Sequence, residues 1–239
     1  LQPIFPSAAY HGYQHGPADQ LNSRFGTEAQ FLAFVDAAHA RGIKVILDFV
    51  AYGISQNSPY YASAYGNPSS IYDPWLAFTN AANTSYVGSL YTTWNGGQVG
   101  FIHWNLTNAA AVNTVTNWAK KWLDPNGDGN TADGVDGFRL DHAWASGGEG
   151  WGANITFWET WCTALRTVRP DVFIFCEPSD WGNYGTDLLT TNAFNAVITK
   201  PWQFAARSAV TNRNASGLYS SMATTVAAVP AGKFIVAQT

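Results

Sequence analysis

A chain of 239 residues, 46% apolar and 12% charged, is globular, and its length suits one large domain or most of an α/β barrel. Its net charge of -4 offers no basic field for nucleic acid, and no apolar run approaches the roughly 20 residues of a membrane span. A neutral or small-molecule partner remains. Five lysines against 11 Trp, 11 Tyr and 14 Phe make the chain lysine-poor and aromatic-rich, a composition that suits flat faces laid on sugar rings and also suits core filling. Cys162 and Cys176 form neither a metal spacing nor a disulfide framework. The chain starts without Met at Leu1 and stops inside or just after a strand, so both ends read as cut, and no signal peptide is visible.

Residues 3–26 carry Pro3, Pro6, Pro17 and a Tyr-His-Gly-Tyr run without sustained period, which predicts a strand end followed by a long loop. Thr27 and Gln30 match a capping box, and Phe31, Phe34, Val35 and Ala38 recur at helical spacing until Gly42 supplies a stop. Residues 44–50 form a β-branched run ending near Asp48, and a helix feeding such a strand is half of a βαβ unit. Residues 53–105 lose all clear period in a Ser, Asn, Gly, Tyr and Trp texture, which predicts an irregular, loop-rich inserted domain between barrel segments 1–52 and 106–239. Spacing supports the excursion, because Asp48 and Asp141 stand about three barrel units of ~31 residues apart.

Helical spacing resumes over 108–123, and a turn-dense loop follows from Asp124 to Asp133. Residues 134–142 then read as a strand whose alternation puts Gly137, Arg139 and Asp141 on one face and Phe138 and Leu140 on the other. Arg139 and Asp141 together on an inner face point to a site, since buried charge is costly unless paired; a solvated edge strand is the alternative. Thr156 and Glu159 match a second capping box on a helix ended by Pro170, and residues 172–176 form a buried strand ending on Glu177. Alternation continues through a strand at 193–199, helices near 201–210 and 218–229, and a strand at 233–239. Three strands therefore end on carboxylates, Asp48, Asp141 and Glu177. In a (β/α)8 barrel the carboxyl ends of the strands carry the active site.

At these residues the chain resembles the α-amylase family of glycoside hydrolases, in its cyclomaltodextrinase and neopullulanase branches. The matches are His11-Gly12-Tyr13, Phe25-Gly26-Thr27, residues 43–48, Gly137-Phe138-Arg139-Leu140-Asp141 and Phe175-Cys176-Glu177. The resemblance implies a TIM barrel, here incomplete at both ends, and a retaining hydrolase acting on α-glucosidic bonds of starch-type glucans or maltooligosaccharides. It implies Asp141 as nucleophile and Glu177 as acid and base. That chemistry calls for Asp141 to stay ionised beside Arg139 while Glu177 keeps a raised pKa in a drier position. Tyr13 is implied as the stacking platform, or else packs on the rim. Asp48 is the supporting carboxylate and Arg139 holds the nucleophile. His142 and Trp181 either line the sugar site or pack in core or rim. An extracellular or periplasmic location is favoured.

Departures bear on these expectations. Tyr52 and Gly53 stand where the family has Asn and His, a calcium ligand and a sugar-binding imidazole, and His142-Ala143-Trp144-Ala145 lacks the Lys-His pair of true α-amylases. The third catalytic aspartate belongs to a motif that would follow residues 233–239, so the 239-residue stretch alone is expected not to hydrolyse starch. Asp124, Asn126, Asp128, Asn130 and Asp133 have the alternating oxygens of a structural calcium loop, although Val135 stands where a bidentate Glu is expected; a surface turn is the other reading. The rival functions are transglycosylation on the same scaffold and non-catalytic glucan binding.

Overall fold

The computed structural model describes residues 1–92, 96–145 and 151–237. In chain order its first elements are α1 (Glu28–His39), β1 (Ile46–Phe49), β2 (Gly53–Ser55), α2 (Pro59–Ala64), β3 (Gly88–Thr92), β4 (Gln98–His103) and α3 (Ala109–Leu123). There follow β5 (Gly137–Ala143), α4 (Ile155–Arg166), β6 (Phe173–Pro178), β7 (Ala196–Ile198), α5 (Lys200–Asn212), α6 (Ser216–Ala228) and β8 (Phe234–Val236). Five strands make one parallel sheet in the order β1-β5-β6-β7-β8. This is the parallel α/β architecture expected. The amino-terminal strand end is represented by Leu1, which lies beside β1 through Leu1 N to Ile46 O at 2.8 Å and Asp48 N to Leu1 O at 2.9 Å. Gln238 and Thr239 of the expected last strand lie outside the described residues.

Local chemistry explains the helices. Thr27 Oγ1 accepts from Gln30 N at 3.2 Å while Gln30 Oε1 accepts from Thr27 N at 2.9 Å, so both arms of the capping box form. The helix ends where Gly42 takes φ +70°, a left-handed conformation that costs glycine little. Its face of Phe31, Val35 and Ala38 is buried. In α3, Asn108 caps Ala110 N and Ala111 N, and Val115, Trp118, Ala119 and Trp122 face the core. The cap of α4 is Asn154 rather than the expected Thr156: its Oδ1 accepts from Thr156 N and Phe157 N, so a better-placed Asn two residues earlier starts the helix. This helix buries Trp158, Trp161, Cys162 and Leu165. Both cysteines are free and buried.

Within the sheet, Phe138 and Leu140 point to the buried helix side, where Phe138 meets Trp161 edge-on at 5.8 Å. A β-carbon on Gly137 would collide with the Phe173 carbonyl oxygen, which is why β5 and β6 tolerate only glycine at that crossing. The segment read as irregular carries a three-stranded antiparallel sheet, β2-β4-β3, whose strands are too short and glycine-rich to show a period. Its Ile54, Leu76, Phe101 and Ile102 join the same core as Phe49, Phe138 and Trp161.

The amino ends of three strands meet at Asp136. Its carboxylate accepts from Val45 N at 2.8 Å and His39 Nε2 at 2.7 Å on one oxygen, and from Lys44 Nζ at 2.9 Å and Arg169 at 2.7 Å on the other. No helix among the described residues is long and apolar enough to cross a membrane.

Candidate active site

Because the strands are parallel, their carboxyl ends bring Asp48 from β1, Arg139 and Asp141 from β5 and Glu177 from β6 to one end of the sheet, with Asp48 directly opposite Arg139 in the register. All three residues are at most 9% exposed, so each carboxylate needs a partner. Arg139 provides it. One guanidinium nitrogen donates to Asp48 Oδ1 and Asp141 Oδ1, both at 2.8 Å, and the other donates to Glu177 Oε2. A second cation, Lys200, the first residue of α5, places its Nζ 2.7 Å from Glu177 Oε1. Asp141, His142 and Glu177 each offer a ligating atom within 4.8 Å of the others.

Arg139, Asp141, His142 and Glu177 open into a cleft of about 400 Å³. Tyr13 lines it and donates its hydroxyl to Asp48 Oδ2 at 2.7 Å, with the Arg139 guanidinium 5.9 Å from its ring centre. His142 sits at φ +45° where the β5-β6 register shifts, an irregularity that re-aims a side chain at the end of the strand. Its ring stacks on Tyr52 with centroids 5.8 Å apart and planes 7° from parallel. The Tyr52 hydroxyl reaches 3.4 Å from Asp141 Oδ2. Trp181 is half-exposed, and the Lys200 ammonium lies 3.9 Å from its ring centre.

The structure thus gathers Tyr13, Asp48, Arg139, Asp141, His142, Glu177 and Trp181 in or against one cleft. Sequence reading missed Tyr52, Lys200, His11, Gln14 and Phe101, which also line it or touch its carboxylates. For Lys200 a signal existed: like Asp48, it is a charged residue at the end of a β-branched run, but only acids were sought there. Tyr52 stood out only as a departure.

Electrostatics reverses one expectation. Burial raises Asp141, the charges of Asp48 and Glu177 add to the rise, and His142 and Arg139 only partly offset it, leaving the carboxyl at about 6. Burial also raises Glu177, but the hydrogen bond and charge of Lys200, with Arg139 and His142, outweigh it and hold Glu177 below its ordinary range. The expectation of a raised Glu177 is therefore not met, with Lys200 the largest cause, while burial lifts Asp141. Asp48 is raised by burial against the pull of Arg139 and Tyr13.

The loop from Asp124 to Asp133 lies elsewhere, before the amino end of β5. Much of its oxygen chemistry is local: Asp124 Oδ2, Asn126 Oδ1, Asp128 Oδ1 and Asn130 Oδ1 accept from backbone N–H groups of the loop. Asp124 Oδ1 and Asp133 Oδ1 are buried without a hydrogen-bond partner.

Residues 1–227 match the family model described as alpha amylase, catalytic domain. The chain is 30% identical over 195 residues to alpha-amylase 3 of Dictyoglomus thermophilum, covering 75% of this chain and 35% of that protein. It is 31% identical over 218 residues to an amylopullulanase of Thermoanaerobacterium thermosulfurigenes, covering 83% of this chain and 11% of that one. The fold superposes on the cyclic α-maltosyl-(1→6)-maltose hydrolase of Arthrobacter globiformis in complex with maltose, with a TM-score of 0.76 at 24% identity, over 97% of this chain and 49% of that chain. The chain spans about a third or less of the sequence relatives it matches and about half of this structure.

Proposed function

The chain belongs to the α-amylase family of glycoside hydrolases, and from that premise we propose that it carries the catalytic pair of a retaining enzyme cleaving α-glucosidic bonds in starch-type glucans or maltooligosaccharides. The observation that carries this reading is the closeness of Asp141 and Glu177, whose oxygens come within 4.8 Å. Two carboxyls about 5 Å apart suit a double displacement, whereas an inverting pair is spaced by roughly 6.5–9.5 Å to admit a water. In the proposed first step an Asp141 oxygen bonds to the anomeric carbon while Glu177 gives its proton to the departing oxygen. In the second, Glu177 takes a proton from water, which displaces Asp141. Arg139 fixes Asp141 for in-line attack, Tyr13 and Trp181 offer faces for sugar rings, and Asp48 anchors Tyr13 and Arg139.

Incubating the full-length gene product with maltoheptaose and following products by NMR tests the reading. Shorter maltooligosaccharides released first as the α-anomer are expected, and an initial β-anomer or an inert mixture sinks it. Transglycosylation differs only in the acceptor of the second step, so labelled acceptor glucose appearing in longer products would identify it. A polymeric substrate favours an extracellular or periplasmic setting, which cell fractionation tests.

We further propose that the 124–133 loop takes a structural calcium ion. The two buried, unpartnered carboxylate oxygens of Asp124 and Asp133 are hard donors of the kind calcium prefers, with Asn126, Asp128 and Asn130 available to complete the shell. A ligand bound only by the folded state stabilises it by mass action. Chelator is therefore expected to lower the Tm and excess calcium to restore it. An unchanged melting curve leaves the loop as a turn held by its own Asp and Asn side chains.

A further inference from the structure

We propose that Lys200 is a latch on the acid of the pair: its ammonium occupies the Glu177 oxygen that the departing glycosidic oxygen needs, and an entering glucan displaces it. The inference rests on the reading of Glu177 as the proton donor. Both Glu177 oxygens are engaged, Oε2 by Arg139 and Oε1 by Lys200 at 2.7 Å. Each oxygen keeps a second lone pair, but a carboxylate held by a cation on each oxygen resists the proton it must deliver, so one cation has to loosen for Glu177 to serve as the acid.

The two cations are not equally free to go. Arg139 projects from the middle of β5 and is tied to Asp48 and Asp141 as well as Glu177. Lys200 has Glu177 as its only carboxylate partner among the described residues. It sits on a flexible stem at the start of α5, with the half-exposed Trp181 ring 3.9 Å away on the cleft side. The ammonium already lies over that ring face, which keeps a partner for it when its bond to Oε1 breaks. The other charged or titratable groups around Glu177 are Arg139, Asp141 and His142 from β5, Asp48 from β1 and Tyr13 from the amino-terminal loop. None of these approaches Oε1 as Lys200 does. Once the ammonium leaves, Oε1 takes a proton from solvent and passes it to the departing oxygen as Asp141 bonds to the anomeric carbon. Lys200 acts through Glu177 and is a positioning residue.

The test is the pH dependence of kcat/KM, which reports the free enzyme, beside that of kcat, which reports the substrate complex. Both are measured in the full-length gene product for wild type, Lys200→Met and Lys200→Arg. An opposite charge in contact lowers a carboxyl by about 1–3 pH units. The alkaline limb of the wild-type kcat profile should therefore lie about one unit or more above that of kcat/KM. In Lys200→Met the kcat/KM profile should rise to meet that of kcat, and Lys200→Arg should keep the gap. Coincident wild-type profiles, or a gap that survives in Lys200→Met, overturn the latch while leaving the enzyme reading intact. Lys200→Gln serves the same decision if the methionine variant does not fold. A wild-type protein that turns over no α-glucan overturns the enzyme reading, and the latch with it.

Discussion

Replacing Asp141 by asparagine or Glu177 by glutamine is expected to lower kcat of the full-length gene product by about 10²-fold or more while leaving glucan binding measurable. Each substitution keeps the side-chain shape in a site where both carboxyls are nearly buried and held by Arg139, so the change removes chemistry rather than the cleft. The two variants should differ in a telling way. With a glucosyl fluoride, whose leaving group needs no proton, Glu177→Gln should recover much of its first-step rate. Asp141→Asn should not, because no nucleophile remains. More than about a tenth of wild-type activity in either variant on a natural glucan would show that the roles are assigned to the wrong residues.

The second large effect is on stability. Asp136→Asn is expected to cost about 3–5 kcal/mol, because it removes the charge that pairs with the buried Arg169 and sets an amide among donors from Val45, His39, Lys44 and Arg169. For a folded unit of about 150–250 residues that corresponds to a Tm drop on the order of 10 °C. The pH dependence follows from the direction of the shift. Burial raises Asp136, but its bonds to Val45, Lys44 and His39 and the charge of Arg169 outweigh it, so the folded carboxyl lies below its ordinary value. Its contribution is therefore complete above the unfolded value of about 3.9 and is lost as pH falls through the depressed folded value. The gap between variant and wild type should be full at neutral pH and close in strong acid. A Tm within about 1 °C of wild type at neutral pH would mean that the cluster contributes little.

How much of this could be read from residues alone depends on how local the cause is. Thr27 and Gln30 sit three apart and form the box they predict, and the alternation of Gly137, Arg139 and Asp141 against Phe138 and Leu140 is a property of one strand. The carboxylate set was legible for the same reason, since each acid ends its own run of strand residues. What escaped depends on contacts between distant segments. Asp136 collects His39, Lys44 and Arg169 from three parts of the chain. Lys200 meets Glu177 only because β6 and β7 are neighbours in the sheet. That contact also lowers Glu177, which the strand motifs lead one to expect raised. The strands β2, β3 and β4 escaped because their runs are too short and too rich in glycine to show a period.

The covalent intermediate on Asp141 is the point on which the account most directly depends. The full-length gene product would be incubated with a fluorinated α-glucosyl fluoride that forms the intermediate quickly and hydrolyses slowly, then digested and mapped by mass spectrometry. The account predicts a single glycosylated peptide with the sugar on Asp141. A label on Glu177, on Asp48 or on any residue outside the cleft, or turnover without any covalent label and with a β-anomeric first product, would contradict it.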